Sequence, residues 1–216
     1  MTRFALVTVA GASLLVGVVG ATVSRSGDGH PAPPARVVAA PPPVPQTIHD
    51  ATLLRRKPRC TAKASPFDSV AISVAGVIRR ARVMTPPRDA YGIPGTPPLN
   101  EQGKNVFAWD RAQGTRPGDA HGNVLLNAHT WPQGRALGNK LLTGLHPGGR
   151  IIVHGLDRTF LCYRVTKRVV VPADKPYWDY YARRGRPQLA IVVCSGPRLG
   201  PRNWATRTVW FASPHV

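Results

Sequence analysis

The chain has 216 residues, enough for one domain of ordinary size plus an appendage. Its 29 lysines and arginines outnumber ten acidic residues, giving a net charge of +19 and raising the question of a nucleic-acid partner. The basic residues are scattered and none of the usual nucleic-acid modules is present, so no nucleic-acid role is expected; anionic wall polymers and lipid headgroups suit an exported chain better.

Residues 5–23 carry no charge and are mostly Ala, Val, Leu and Gly. About 20 such residues at roughly 1.5 Å rise each can cross a bilayer core. With Arg3 ahead of the run, residues 1–24 read as an uncleaved single-pass anchor with its N-terminus in the cytoplasm. A cleaved signal peptide ending near Val19-Gly20-Ala21 is the competing reading, and under both the remainder is extracellular. Residues 25–59 are rich in proline (Pro31, Pro33, Pro34, Pro41 to Pro43, Pro45) and poor in large apolar residues, the composition of an extended, solvated linker. The folded domain is expected at 60–216, where 22 basic and 8 acidic residues leave +14.

Within that domain, short alternating or continuous apolar runs are separated by Gly/Pro turns. Strands are expected at 70–74, 80–84, 106–109 and 123–128, a short helix at 136–142, then a hairpin of 150–154 with 160–166, its second strand extended by 168–171. Leu189 to Val193 is a continuous apolar run, as in a strand buried on both faces, and 206–212 closes the domain. About eight strands with one or two short helices make an all-β fold, a small closed barrel.

Three cysteines occur, Cys60, Cys162 and Cys194. In an oxidising exterior an odd count leaves one pair plus a free thiol, or no pair. A Cys60–Cys162 disulfide would pin the approach to the domain onto the barrel and leave Cys194 reduced. The alternative is a buried strand residue at 162 and a free thiol at 60.

Cys194 follows the apolar run and precedes Ser195-Gly196-Pro197, so the sheet would position a thiol that substrate can reach. An isolated cysteine is more often simply buried. His129 also stands at a strand end, and imidazole is the usual partner that generates a thiolate near neutral pH. It can instead be a surface turn histidine, and six other histidines compete for the role. Arg207 would lie beside the Cys194 run if the two strands form a hairpin, where a fixed guanidinium can stabilise an acyl-transfer oxyanion; otherwise it is one more solvated arginine.

Taken together, Asn127-Ala128-His129-Thr130-Trp131, Ile191-Val192-Val193-Cys194-Ser195-Gly196 and Arg207-Thr208-Val209-Trp210-Phe211-Ala212 resemble the sortase family, specifically its actinobacterial class F branch or the neighbouring class E. Cys194 follows His129 by 65 residues and precedes Arg207 by 13, spacings similar to the family's. The likeness covers about residues 65–214. Two positions depart from the family pattern: Val193 stands where a threonine usually precedes the nucleophile, and the Pro-Gly-Asp turn reads Pro147-Gly148-Gly149.

The resemblance implies a cysteine transpeptidase that cleaves a Leu-Pro-X-Thr-Gly-like sorting signal between Thr and Gly. Cys194 would be the nucleophile, His129 the acid/base and Arg207 the oxyanion stabiliser. Implied partners are secreted proteins with C-terminal sorting signals, a peptidoglycan-precursor amine and, through the N-terminal helix, the membrane. Substrate contacts are expected from Trp131, Val193, Tyr177 and Trp178, the last two on an aromatic loop before Leu189. Each of these rings can equally be packing the loop down. No cofactor is implied. Only Asp174 and Asp179 are acidic between Val171 and Leu189, too few oxygens for a hard cation, so no metal is expected. An L,D-transpeptidase-like acyltransferase would need Ser-His-Gly-Cys where Val192-Val193-Cys194-Ser195 stands. A non-catalytic basic wall-binding module would leave Cys194 inert and buried, a difference that thiol alkylation reads out.

Overall fold

The computed structural model describes residues 60–216; the expected anchor at 1–24 and linker at 25–59 lie outside the described residues. Short apolar runs bounded by turn residues set the strands. They are β1 (Ala71–Val74), β2 (Ile78–Met84), β3 (Val106–Trp109), β4 (Asn123–Ala128), β5 (Arg150–His154), β6 (Phe160–Pro172), β7 (Gln188–Gly200) and β8 (Asn203–Pro214). The runs are continuous where both faces are covered, as in β3 and β4, and broken by polar residues where one face is open, as in β6. One α-helix, α1 (Leu137–Gly144), and two single 3₁₀ turns, Arg111–Gln113 and Trp178–Tyr181, complete the secondary structure.

The eight strands close into a barrel in the order β1-β2-β3-β4-β7-β8-β6-β5. Closure removes the unpaired edges that an eight-stranded open sheet would expose. Two neighbouring pairs, β2/β3 and β4/β7, are parallel, and the other pairs are antiparallel. Parallel neighbours cannot be joined by a hairpin. The β2–β3 connection therefore ends, and the connection after β4 begins, at the barrel end where β4 stops, and the candidate residues lie there.

Inward-facing side chains such as Phe107, Trp109, Leu126, Ile191 and Trp210 fill the barrel, and Leu137 and Leu141 of α1 pack into the same core one helical turn apart. A second, smaller cluster lies outside the sheet. There Leu125, Ala190, Val209 and Phe211 are covered by Tyr180 from the 3₁₀ turn before β7. This explains the continuous apolar run in β7: both faces of the strand are covered.

Two boundaries differ from the sequence expectation. The apolar run was expected to end as a strand at Val193, but β7 continues to Gly200 and β8 begins at Asn203. Beyond Ala128, β7 has lost its β4 neighbour and pairs only with β8, with register shifts between Ser195 and Gly200. A bulged strand paired on one side tolerates Pro197, whose missing N–H would disrupt a central strand. Cys194 therefore lies within a strand, at the point where one flank becomes open.

Cys60 and Cys162 are disulfide-bonded, with Cα atoms 5.4 Å apart across 102 residues. The Cys162 N–H donates to the Thr61 carbonyl at 2.9 Å, and its carbonyl accepts from the His215 N–H at 2.9 Å. One position on β6 thus fastens both the start and the end of the domain. Among the described residues no helix is long and apolar enough to cross a membrane.

Thiol counting on the denatured, unreduced protein is expected to give one free thiol, from Cys194. Reduction should lower stability by up to about 4 to 5 kcal/mol, the chain-entropy value for a loop of roughly 100 residues. Three free thiols would contradict the pairing.

Candidate active site

Strand pleat and register decide which side chains share a surface. In the parallel β4/β7 pair, Asn127 lies beside Val192 and Ala128 beside Val193. In the antiparallel β7/β8 pair, Val192 faces Val209 and Cys194 faces Arg207. On β8's other side, Arg207 pairs with Val171 and Val209 with Val169 of β6. Side chains two apart along a strand share a face. The outer face therefore carries a row Asn127–Val192–Val209–Val169 and, one step beyond, Cys194–Arg207–Val171. His129, one residue past the last β4/β7 pair, continues that row. The chain brings His129, Cys194 and Arg207 together at one end of a single sheet face.

Cys194 is half-buried and is the one free cysteine among the described residues. Burial pushes its thiol above the ordinary value, while the Arg207 guanidinium and a backbone hydrogen bond pull it down. Arg207 makes no ion pair among the described residues; its Nη1 donates to the Thr206 carbonyl at 3.2 Å. A cation with no carboxylate partner, across the ladder from a thiol, is available to an oxyanion formed there.

His129 is held by the connection that joins β2 to β3. Its Nε2 donates to the Pro97 carbonyl at 2.5 Å, and two residues earlier Asn127 Nδ2 donates to the Gly95 carbonyl at 2.9 Å. A carbonyl only accepts, so the proton in this bond belongs to Nε2. In the neutral ring Nδ1 then keeps the lone pair and is the base. No hydrogen bond joins the ring to the Cys194 sulfur among the described residues. The two strand ends are tied instead through Thr130, whose Oγ1 donates to the Cys194 carbonyl at 2.7 Å.

The loop after His129 is pinned by α1. Asn139 Oδ1 accepts from the N–H groups of Trp131 and Ala136, at 3.0 and 3.2 Å, and its Nδ2 donates to the Trp131 carbonyl at 3.1 Å. This third helical residue reaches back to the residue before the helix, as the acidic half of a capping box does. Gly138 lies so close that an added Cβ would come within 2.5 Å of Thr130 Oγ1 and 2.6 Å of the His129 carbonyl.

The connection carrying Gly95 and Pro97 is itself anchored. Arg88 Nε donates to both oxygens of Asp110 at 3.0 Å, and its Nη2 donates to Gln113 Oε1 at 3.0 Å. Gln113 Nε2 in turn donates to the Tyr181 carbonyl at 2.9 Å, linking this connection to the aromatic loop before β7.

The four expected substrate contacts separate. Val193 points inward and is buried in the barrel core, because the pleat sends the neighbour of Cys194 to the opposite face. Tyr177 packs edge-on against Phe211 at 6.3 Å and donates to Asp179 at 3.0 Å; Phe211 lies four residues, about 13 Å, along β8 from Arg207. Trp178 is 74% exposed, with its ring 6.4 Å from Tyr181. Trp131 stays beside His129, half-buried, with Lys104 Nζ 4.6 Å from its ring centre. Sequence reasoning gave no role to Asn127, Thr130, Gly138, Asn139, Gly95 or Pro97. Asn127 and Thr130 had a signal, their place in the motif around His129.

One other histidine meets a hydroxyl. Ser73 donates to the Arg79 carbonyl at 2.6 Å, so at 2.9 Å it accepts from His154 Nε2 and is not an activated nucleophile. Burial lowers the His154 pKa, with Arg80 adding to the shift.

Two outcomes test this geometry. The rate of Cys194 alkylation should rise with pH through a midpoint above that of an ordinary thiol, and Arg207→Gln should move the midpoint further up, because a cation that favours the thiolate has been removed. A midpoint unchanged in Arg207→Gln would mean that the guanidinium does not act on the sulfur. Gly138→Ala should cost about 1 to 3 kcal/mol in thermal unfolding, as overpacking does. A variant of native stability would show that the loop relaxes freely.

No family model matches the chain, and no curated protein matches it. Solved structures do. Sortase C1 of GBS pilus island 1 aligns with TM-score 0.51 at 14% identity, over 68% of this chain and 63% of that one. Sortase C1 from Streptococcus suis aligns at 0.50 and 13% identity, over 68% and 73%. The lid mutant of Streptococcus agalactiae sortase C1 aligns at 0.51 and 13%, over 71% of each. The chain thus spans less than two thirds of the length of the first of these structures, and at such identities the likeness is one of architecture: the eight-stranded closed barrel described here is the sortase fold.

Proposed function

We propose that this chain is a membrane-tethered, extracellular cysteine transpeptidase of the sortase type, of the actinobacterial class F or E branch. It would cleave a Leu-Pro-X-Thr-Gly-like signal between Thr and Gly and pass the acyl group to a cell-wall amine. The observation that carries the reading is the row of His129, Cys194 and Arg207 at one end of a single face of a sortase-type barrel. A lone buried cysteine would not need a histidine one strand away and an unpaired arginine on the other side.

The chemistry follows from the residues. Cys194, as thiolate, attacks the Thr carbonyl, and the oxyanion forms beside Arg207. Collapse breaks the Thr–Gly bond as His129, protonated, gives its proton to the departing Gly nitrogen. A thioester remains. His129, now neutral, takes a proton from the incoming amine as that amine attacks the same carbonyl, and Cys194 is released. The Pro97 carbonyl holds Nε2–H throughout, leaving Nδ1 to move the proton. Burial of the thiol keeps Cys194 mostly protonated near neutral pH, so the thiolate forms as a minor species or on substrate binding.

The full chain in non-ionic detergent, incubated with a library of sorting-signal peptides with and without amine acceptors, tests the reading. Cys194→Ala and His129→Ala should each abolish cleavage. Loss of the Arg207 side chain should cost about 100-fold or more in turnover, of order 3 kcal/mol, with little rescue by Arg207→Lys, whose flexible point charge does not reproduce a planar fork. Substantial turnover without Cys194 would rule the mechanism out.

A further inference from the structure

A second feature lies on the Cys194 sheet face, at its far end. A cavity of about 280 Å³ is lined by Lys167, Arg184, Arg186, Asp179, Gln188 and Phe211. Three cations meet one carboxylate there, an excess of +2. None of the three makes an ion pair among the described residues, and Asp179 instead accepts the Tyr177 hydroxyl at 3.0 Å.

Local backbone structure aims these charges. A bulge in β6 between Val165 and Lys167 brings Lys167 opposite Phe211, with Nζ 5.8 Å from the ring centre. Arg184 and Arg186 flank Gly185, which turns at φ 91°. That turn is fastened to the start of β4: the Asn123 N–H donates to the Ala182 carbonyl at 2.8 Å, and the Gly122 N–H to the Gly185 carbonyl at 3.3 Å. The arginines therefore project from an anchored turn; like Lys167 they are exposed, and an anion entering the concavity meets three cations carried by fixed backbone.

We propose that this cavity is a phosphate-binding site, separate from the reacting centre. A single carboxylate or phosphodiester would leave half of the +2 excess unneutralised, whereas a phosphate monoester or diphosphate matches it, and two guanidinium forks with an ammonium suit its several oxygens. Phe211 lies about 13 Å along β8 from Arg207, too far for the bound phosphate to be the group attacked by Cys194. The phosphate can come from a soluble ester or from a lipid headgroup, and the two sources leave different signatures.

Inorganic pyrophosphate titrated calorimetrically into the full chain in non-ionic detergent should bind saturably. Arg184→Gln/Arg186→Gln should weaken that binding at least tenfold. Arg80→Gln/Arg82→Gln, which removes the same charge from exposed positions on β2, should change it less than twofold. Vesicle flotation then separates the sources, by comparing phosphatidylcholine vesicles with and without phosphatidic acid, whose headgroup is a phosphate monoester. A gain in capture from phosphatidic acid that pyrophosphate competes away supports the site with a headgroup ligand; saturable pyrophosphate binding without that gain supports it with a soluble one. No saturable pyrophosphate binding, or an equal loss in both double variants, overturns the proposal. The same titration on Cys194→Ala keeps this test independent of the transpeptidase reading, since it needs no acyl transfer.

Discussion

The parallel pairing of β4 with β7, and the antiparallel pairing of β7 with β8, fix what this surface can do. Because the side-chain period of a strand is two, slipping either pairing by one residue would send Cys194 into the barrel and bring Val193 out. The register is held by apolar residues on both faces: Ile191 and Trp210 within the barrel, Ala190 and Phe211 beneath Tyr180 outside it. A core of this kind tolerates no slip. The site's geometry is a by-product of packing that happens elsewhere along the same strands.

β4 stops at Ala128 while β7 continues, and that inequality opens the flank at Cys194. The early stop has local causes. The backbone after Ala128 is bent towards α1, where the Gly138 N–H donates to the His129 carbonyl at 2.8 Å and Asn139 holds Trp131. No side chain larger than hydrogen fits at 138 without moving His129 or Thr130. The helix therefore acts on the histidine through backbone proximity, and the β2–β3 connection acts on its ring through Pro97. Two connections made necessary by parallel pairing thus meet at one imidazole.

Electrostatically the face is divided. At the Cys194 end, burial and a single guanidinium oppose each other across one ladder pair. At the far end, several cations converge with little compensation. Between them Val192, Val209 and Val169 belong to the apolar cluster that Tyr180 covers, so packed side chains separate the two ends.

From the sequence alone came the number of strands, their approximate places, the barrel class and the three polar residues at its mouth. The strand signals are local, period-two alternation, apolar runs and turn residues; the three polar residues, 65 and 13 residues apart, were singled out by the resemblance of their motifs to the sortase family. The sequence left a Cys60–Cys162 disulfide and a pair of unlinked cysteines both open, and the folded chain decided for the disulfide by bringing the two Cα atoms to 5.4 Å. Tertiary structure alone decided which face each residue takes and what holds it. Val193 and Tyr177 were expected at the substrate surface, but pleat direction put the first in the core and loop packing put the second beside Phe211. Gly95 and Pro97 lay in a turn-rich stretch with no periodic signal, and their role is carried by backbone carbonyls, which every residue possesses. A contact made by main chain to a histidine 32 residues away leaves no mark on composition, and only the folded path of the chain creates it.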